Sequence, residues 1–427
     1  MLNKTCVFVI VSVILFFVGC DNKNLEINNK KKVDVKKIEL WHYNKEEADF
    51  LKKNFEKKFD NYNVELNIIQ NTDKVYQTKV QQLISSGSKD VPDVIAIEMS
   101  YLKKFVNIKN GLEDLNKEPY NSEKFISDMY NYTIELGKDS NGYLRAVTPK
   151  SLAITLGYRK NLTDKYLETK KEEDIDEMMS SFENIIETGN KLSDDVILFS
   201  NPKDLYLLYS GGRENPWVKD NKLIVDSKMV ELVKLVKKLK ENNLITNTYN
   251  WEQSFENEKC MFFALPVDRI KFLSDEENIK DNEDWGITQS IYPYSINGNW
   301  FGILKNSKNK ENAWKFIDYV SSDNKLMESS SKKFNEMGNS KKKGIEFTNN
   351  ENLVNKTFNK NIYSLWDEES KNINPELYSL NDELISLEFN NILIDFVGAD
   401  SILKTENDVI EQFKINISNM FEDIIVE

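Results

Sequence analysis

Residues 37–44 read KIELWHYN, with apolar Ile38 and Leu40 either side of Glu39. That two-residue period predicts a strand with one buried face. Over residues 45–59 the period changes, and Ala48, Leu51, Phe55 and Phe59 recur at helical spacing. Val64, Leu66 and Ile68 alternate again in residues 63–69, a second strand. Asp73 is placed to cap a helix carrying Tyr76, Val80, Leu83 and Ile84 on one face, and Gly87 to stop it. Residues 92–97, PDVIAI, form a third, buried strand. The order β-α-β-α-β predicts a parallel sheet with helices on both faces.

Downstream, helices are predicted over 182–192, 227–242 and 309–320, and short strands over 222–225, 260–265, 285–287 and 301–304. The last hundred residues read as wholly helical, ending in a helix through Ile410, Phe413, Ile417, Met420 and Ile424. With neither an internal repeat nor a second linker, one α/β unit with a helical tail is expected.

Composition removes several kinds of chemistry. The chain has 427 residues with a formal net charge of −13 and interleaved Lys and Glu, which does not fit a nucleic-acid binder. A single histidine, His42, argues against a Ser–His–Asp triad or a multi-histidine zinc site. Three cysteines, Cys6, Cys20 and Cys260, are too few for a disulfide framework once the first two are assigned to the leader and its end. No metal, no cofactor and no catalytic residue is expected.

Lys4 precedes an apolar run over residues 5–18, too short to span a bilayer. It ends in Phe17-Val18-Gly19-Cys20, which resembles a bacterial lipoprotein cleavage signal. Residues 1–19 are therefore expected to be a signal peptide and Cys20 the lipidated N-terminus. The polar, Asn- and Lys-rich residues 20–36 would be a flexible tether, placing the protein in the cell envelope on the outer face of the cytoplasmic membrane.

Four stretches carry a resemblance. The first is Ile38–Tyr43 with the later Pro92-Asp93-Val94. The second is Gly142-Tyr143 to Pro149, followed by residues 151–158. The third is Ser254-Phe255 to Cys260-Met261. The fourth is Trp300 with residues 308–317, KNKENAWKFI. In this order they resemble the carbohydrate-type solute-binding proteins of bacterial ABC importers, the family that includes maltodextrin-binding protein. The sequence departs from the family pattern at Glu256-Asn257-Glu258, which lacks a glycine, and at Arg159, where the family has Asn. After Met261 the expected Gly and Trp are replaced by Phe263-Ala264-Leu265-Pro266.

The resemblance implies a two-lobed α/β fold of the periplasmic-binding-protein type (type II), with hinge crossovers and a helical C-terminal tail. Lobe 1 would take 37–149 and 302–336, and lobe 2 would take 150–301 and 337–427. It also implies a monomer that catalyses nothing, captures a sugar or oligosaccharide between the lobes, and hands it to the transmembrane subunits of an ABC permease. A receptor for a polyamine, peptide or cation, a surface glycosidase, and an adhesin or sensor are the alternatives.

Ligands of open α/β sheets bind outside the carboxyl ends of the strands. Tyr43, Asn44, Glu98, Ser100 and Tyr101 are candidates on that ground, as are Asp268 and Arg269 after the 260–265 strand. Ser151 and Trp300 are candidates as crossover residues. Trp217, in a glycine-containing loop, and Trp366 and Tyr378, in the tail, are candidates because flat aromatics suit the C–H faces of a sugar. Asp93 is expected to brace the junction after Pro92, and Trp251 and Trp314 to pack.

Overall fold

The computed structural model describes residues 35–70, 74–193, 195–248, 250–275 and 284–427. The expected leader, Cys20, the tether up to residue 34 and the Asp73 cap lie outside the described residues. In chain order the strands are β1 (Lys36–His42), β2 (Tyr62–Ile68), β3 (Val94–Glu98), β4 (Lys150–Ser151), β5 (Thr155–Arg159), β6 (Val218–Lys219), β7 (Lys222–Leu223), β8 (Phe262–Leu265), β9 (Trp285–Thr288), β10 (Asn299–Ile303) and β11 (Met337–Gly338).

β1 buries Ile38 and Leu40 and leaves Glu39 exposed. It runs parallel to β2, with Ile38 opposite Val64 and Leu40 opposite Leu66, and parallel to β3 on its other side. Asn44 caps the helix Lys45–Lys58, its side chain accepting from the Glu47 N–H, and Ala48, Leu51 and Phe55 turn inward. Gly87, at φ +63°, follows the helix Val75–Ser85 in the left-handed region that glycine adopts without steric cost. Asp93 braces the turn into β3: its carboxylate accepts from the Glu39 N–H, the Ser307 hydroxyl and the Asn309 amide.

The sheet is completed from far along the chain. β10 adds antiparallel to β3, giving the order β10-β3-β1-β2. The helix Lys310–Ser322 follows and packs on this sheet through Ala313, Phe316, Ile317 and Val320.

The second lobe is built on a sheet of order β8-β5-β9, antiparallel throughout. Four helices, Pro202–Tyr209, Ser227–Glu241, Asp382–Val397 and Glu406–Met420, share its core. Two chain segments far apart in sequence pair as a short antiparallel ribbon. Lys150 and Ser151 of β4 lie opposite Gly338 and Met337 of β11.

Two expectations about the tail are corrected. The last hundred residues are not wholly helical, because β11 lies among them and serves as the partner of β4. Ile424 lies beyond the final helix, and Met420, its last residue, is exposed. Val409, Phe413 and Ile417 form that helix's buried face. Among the described residues no helix is long and apolar enough to cross a membrane.

Candidate functional site

Two cavities share Ile296 in their walls. The first, about 300 Å³, is bounded by Tyr43 and Asn44 after β1, Glu98 at the end of β3, and Asp268 after β8. Four residues expected from strand-end reasoning therefore converge. Tyr43 is half-buried with its ring edge-on to Tyr76 at 5.4 Å. Asn44 also has local work, since its N–H donates to His42 Nδ1 at 2.9 Å and its side chain caps the following helix. Glu98 Oε2 accepts from Gln77 Nε2 at 2.8 Å, and Asp268 Oδ1 from Asn297 Nδ2 at 2.9 Å.

The same cavity has a charged floor that the sequence did not reveal. Lys150 of β4 donates to Glu47 Oε1 at 2.8 Å and to Glu336 Oε2 at 3.0 Å, all three being nearly buried. Burial disfavours the charge on Lys150, but the two carboxylates outweigh it and raise its pKa. One lysine cannot satisfy both acids equally. Burial pushes both carboxyl groups up; at Glu47 the Lys150 charge prevails and the pKa falls, while at Glu336 burial prevails and it rises. Beside this cluster His42 is completely buried, and the loss of solvent lowers its pKa to about 4, so the ring is neutral at physiological pH. Its Nε2 meets Asn299 Nδ2 at 3.1 Å.

The second cavity, about 360 Å³, lies between the start of the helix Met99–Val106 and the long helix Asp382–Val397. Ser100 and Tyr378 belong to its wall. Tyr378 stacks parallel on Tyr294, ring centres 5.3 Å apart and planes 6° apart, and its hydroxyl donates to Ser295 O at 2.9 Å. Asp382 and Asn390, both in the wall, each carry a buried side-chain oxygen with no hydrogen-bond donor, Oδ2 and Oδ1 respectively. Burial raises the Asp382 pKa. The Tyr101 hydroxyl donates to Glu383 Oε1, a residue of this wall, at 2.8 Å. Lys74 approaches the same carboxylate at 3.6 Å.

Six expected site residues, Tyr101 among them, line neither cavity. Trp217 is fully buried in the core shared by the four helices, packed at 5.1 Å from Phe389 and 5.2 Å from Phe413. Trp300 points away from the cleft because side chains alternate along β10. Its neighbour Asn299 lines the first cavity, while its own Nε1 donates to Thr133 O at 2.9 Å. Ser151 follows the same rule opposite Lys150, its buried hydroxyl meeting Tyr132 and Ser370. Trp366 is buried edge-on to Tyr363. Arg269 turns inward from the helix Val267–Leu273 to form a buried ion pair with Asp204 at 2.6 Å, not with adjacent Asp268. Trp251 and Trp314 pack as expected, against Phe255 and Phe272 and against Phe125 and Tyr120.

Residues 44–325 match the sequence model of the bacterial extracellular solute-binding proteins. The chain belongs to that family. Solved structures share the fold of this solute-binding protein over nearly its whole length. An extracellular solute-binding protein of family 1 superposes with a TM-score of 0.77 at 12% identity, covering 90% of this chain and 99% of the other. The sugar-binding protein MalE of Xanthomonas citri gives 0.69 at 14% identity, covering 90% and 97%. The galacto-N-biose/lacto-N-biose I-binding protein of a Bifidobacterium longum ABC transporter, solved with lacto-N-biose, gives 0.68 at 12% identity, covering 92% and 99%. No functionally curated protein matches the sequence. At these identities the likeness establishes the fold, and the ligand must be argued from the cleft.

Proposed function

We propose that this solute-binding protein captures a saccharide in the interlobe cleft and delivers it, chemically unchanged, to an ABC importer. The observation that carries the reading is the wall of the second cavity. A tyrosine stacked on Tyr294 supplies flat apolar surface, and Asp382 Oδ2 and Asn390 Oδ1 supply acceptors without donors. A sugar ring offers the complement, with C–H faces for the aromatic and hydroxyl donors for the oxygens. A buried acceptor left unmade costs about 1–3 kcal/mol, so a hydroxyl that reaches one is bound selectively. Family membership and the sugar-binding neighbours support the same reading.

The receptor works by hinged closure, in which the ligand stabilises the shut form through contacts made only there. The lobes divide as 37–149 with 302–336 and 150–301 with 337–427, and the β4–β11 ribbon is the place where they flex. The chain acts as a monomer, tethered through lipid on Cys20, and catalyses no reaction. Isothermal calorimetry against a panel of neutral mono- and oligosaccharides tests the reading. Binding to at least one, weakened by Tyr378→Ala, is expected; no heat with any saccharide overturns it.

A further inference from the structure

Two half-buried lysines, Lys103 and Lys203, stand in the wall of the second cavity. Lys103, on the helix Met99–Val106, donates from Nζ to the Glu135 carbonyl oxygen at 2.9 Å, a neutral acceptor. Lys203 is the second residue of the helix Pro202–Tyr209, and among the described residues its Nζ makes neither a hydrogen bond nor an ion pair. The acids in its neighbourhood are engaged elsewhere: Asp204 pairs with Arg269 at 2.6 Å, and Asp268 accepts from Asn297 at 2.9 Å. The position is unfavourable twice over, because a cation in the first turn opposes the helix dipole and because the Arg269 charge repels it. The two acids of the wall have cations of their own from outside it. Glu383 is met by Lys74, and Asp382 lies in the field of Arg213. A separate observation comes from Asn390, 5% exposed in the same wall. Its Nδ2 donates to the Ser386 carbonyl oxygen at 2.7 Å, which fixes the orientation of the amide and leaves Oδ1 without a donor.

We propose that Lys203, with Lys103, receives an anionic group of the ligand, so that the solute is an acidic saccharide such as a uronic acid. The proposal rests on the saccharide reading of this same cavity. Charges withdrawn from water are paired in proteins, and a lysine without a partner in a cavity wall is completed by an anion brought to it. An ammonium group has three donors and no acceptor. Lys103 spends one on Glu135 and Lys203 spends none. A carboxylate on a sugar ring offers acceptor oxygens to both lysines, while the ring hydroxyls are the donors that Asn390 Oδ1 and Asp382 Oδ2 lack. Hydrogen bonds between a cation and a carboxylate are about twice as strong as neutral ones. A neutral sugar would serve the two oxygens and leave Lys203 unpaired, and an amine would be repelled by it. On the proposed division of the lobes the lysines belong to different halves, so an anion held by both favours the shut form.

The test is calorimetry on the purified chain with matched pairs: glucuronate and glucose, galacturonate and galactose, mannuronate and mannose. Glucose 6-phosphate and citrate are added as further anions. At least one acid is expected to bind about tenfold or more tighter than its neutral parent. Lys203→Met and Lys203→Gln should each abolish most of that preference. Because Lys203 is unpaired, neither substitution should lower the melting temperature, which separates loss of a binding charge from loss of the fold. Neutral parents that bind as tightly as their acids, or a preference that survives both substitutions, overturn the anion site and leave the saccharide reading standing. Glucose 6-phosphate as the tightest probe, weakened in both variants, upholds the site and makes phosphate its anion. Binding of citrate alone, lost in the variants, retains an anion site but removes the saccharide reading and the acidic saccharide with it. Absence of binding by every probe overturns the anion site, and the neutral panel then decides the saccharide reading separately.

Discussion

Tyr101 and Glu383 meet beside the second cavity, the tyrosine hydroxyl donating to the carboxylate at 2.8 Å. One residue follows β3 and the other lies in the first turn of the long helix Asp382–Val397; on the proposed division of the lobes, the bond joins one to the other and is made only when they are close. Lys74 joins the same carboxylate. A net hydrogen bond contributes about 1 kcal/mol, which is roughly a fivefold bias toward the shut form. Glu383→Ala and Tyr101→Phe are each expected to shift the ligand-free protein toward open forms. Small-angle X-ray scattering should show a larger radius of gyration for both, and the double variant should add little to either single one. Unchanged scattering in both variants would sink the latch.

Arg269 and Asp204 form an ion pair that is almost wholly out of water. Removing one partner strands the other, at a cost of about 3–5 kcal/mol. Asp204→Ala should lower the urea midpoint of unfolding strongly, whereas Asp268→Asn, one residue from Arg269 but facing the cleft, should scarcely move it. Similar midpoints for the two variants would contradict this placement.

Trp217 sits in the lobe 2 core, and truncating a buried tryptophan costs about 3–5 kcal/mol. Trp217→Ala is expected to reduce the melting temperature by many degrees. Trp217→Phe keeps much of the packing and should bind any ligand found in the saccharide panel with unaltered affinity. Loss of affinity in a well-folded Trp217→Phe protein would return this residue to the binding surface.

Two buried groups give opposite pH dependences. Burial lowers the His42 pKa from 6.5 to about 4. Between those values the unfolded chain takes up a proton that the folded one refuses, so stability is lost as pH falls through that window. Burial raises the Glu369 pKa from 4.5 to about 8. Here the folded state holds the extra proton, so stability is full below 4.5 and declines as pH rises toward 8. Glu369→Gln should therefore be more stable than the parent at pH 8 and equal to it near pH 4. The His42 imidazole, unique in the sequence, should show no titration by NMR between pH 8 and 5. A midpoint near 6.5 would refute its burial.

The sheet of β1, β2 and β3 was legible because β1 and β2 alternate apolar and polar residues, while β3 is a short apolar run after Pro92, buried on both faces. Strand ends were legible once the strands were, which is why Tyr43, Asn44, Glu98 and Asp268, expected separately, line one cavity. The tryptophans misled because aromatic rings satisfy a core and a sugar equally well, and only burial separates the two. Trp300 could have been rejected by counting along β10: if Asn299 faces the cleft, its neighbour cannot. Lys150 and Glu336 are adjacent only through the two-residue β4–β11 ribbon, a pairing between positions nearly two hundred residues apart that no local pattern records. Asp382, Glu383 and Asn390 arrive on a helix that reads as ordinary tail.

The indoles are distributed in a way that matters at the bench. Trp217, Trp285, Trp300 and Trp366 are sealed in the interior, and neither cavity wall contains a tryptophan. Intrinsic emission excited at the indole band would thus follow denaturation faithfully yet stay nearly silent while solute is captured. An assay of occupancy needs heat, scattering or a dye placed at the rim.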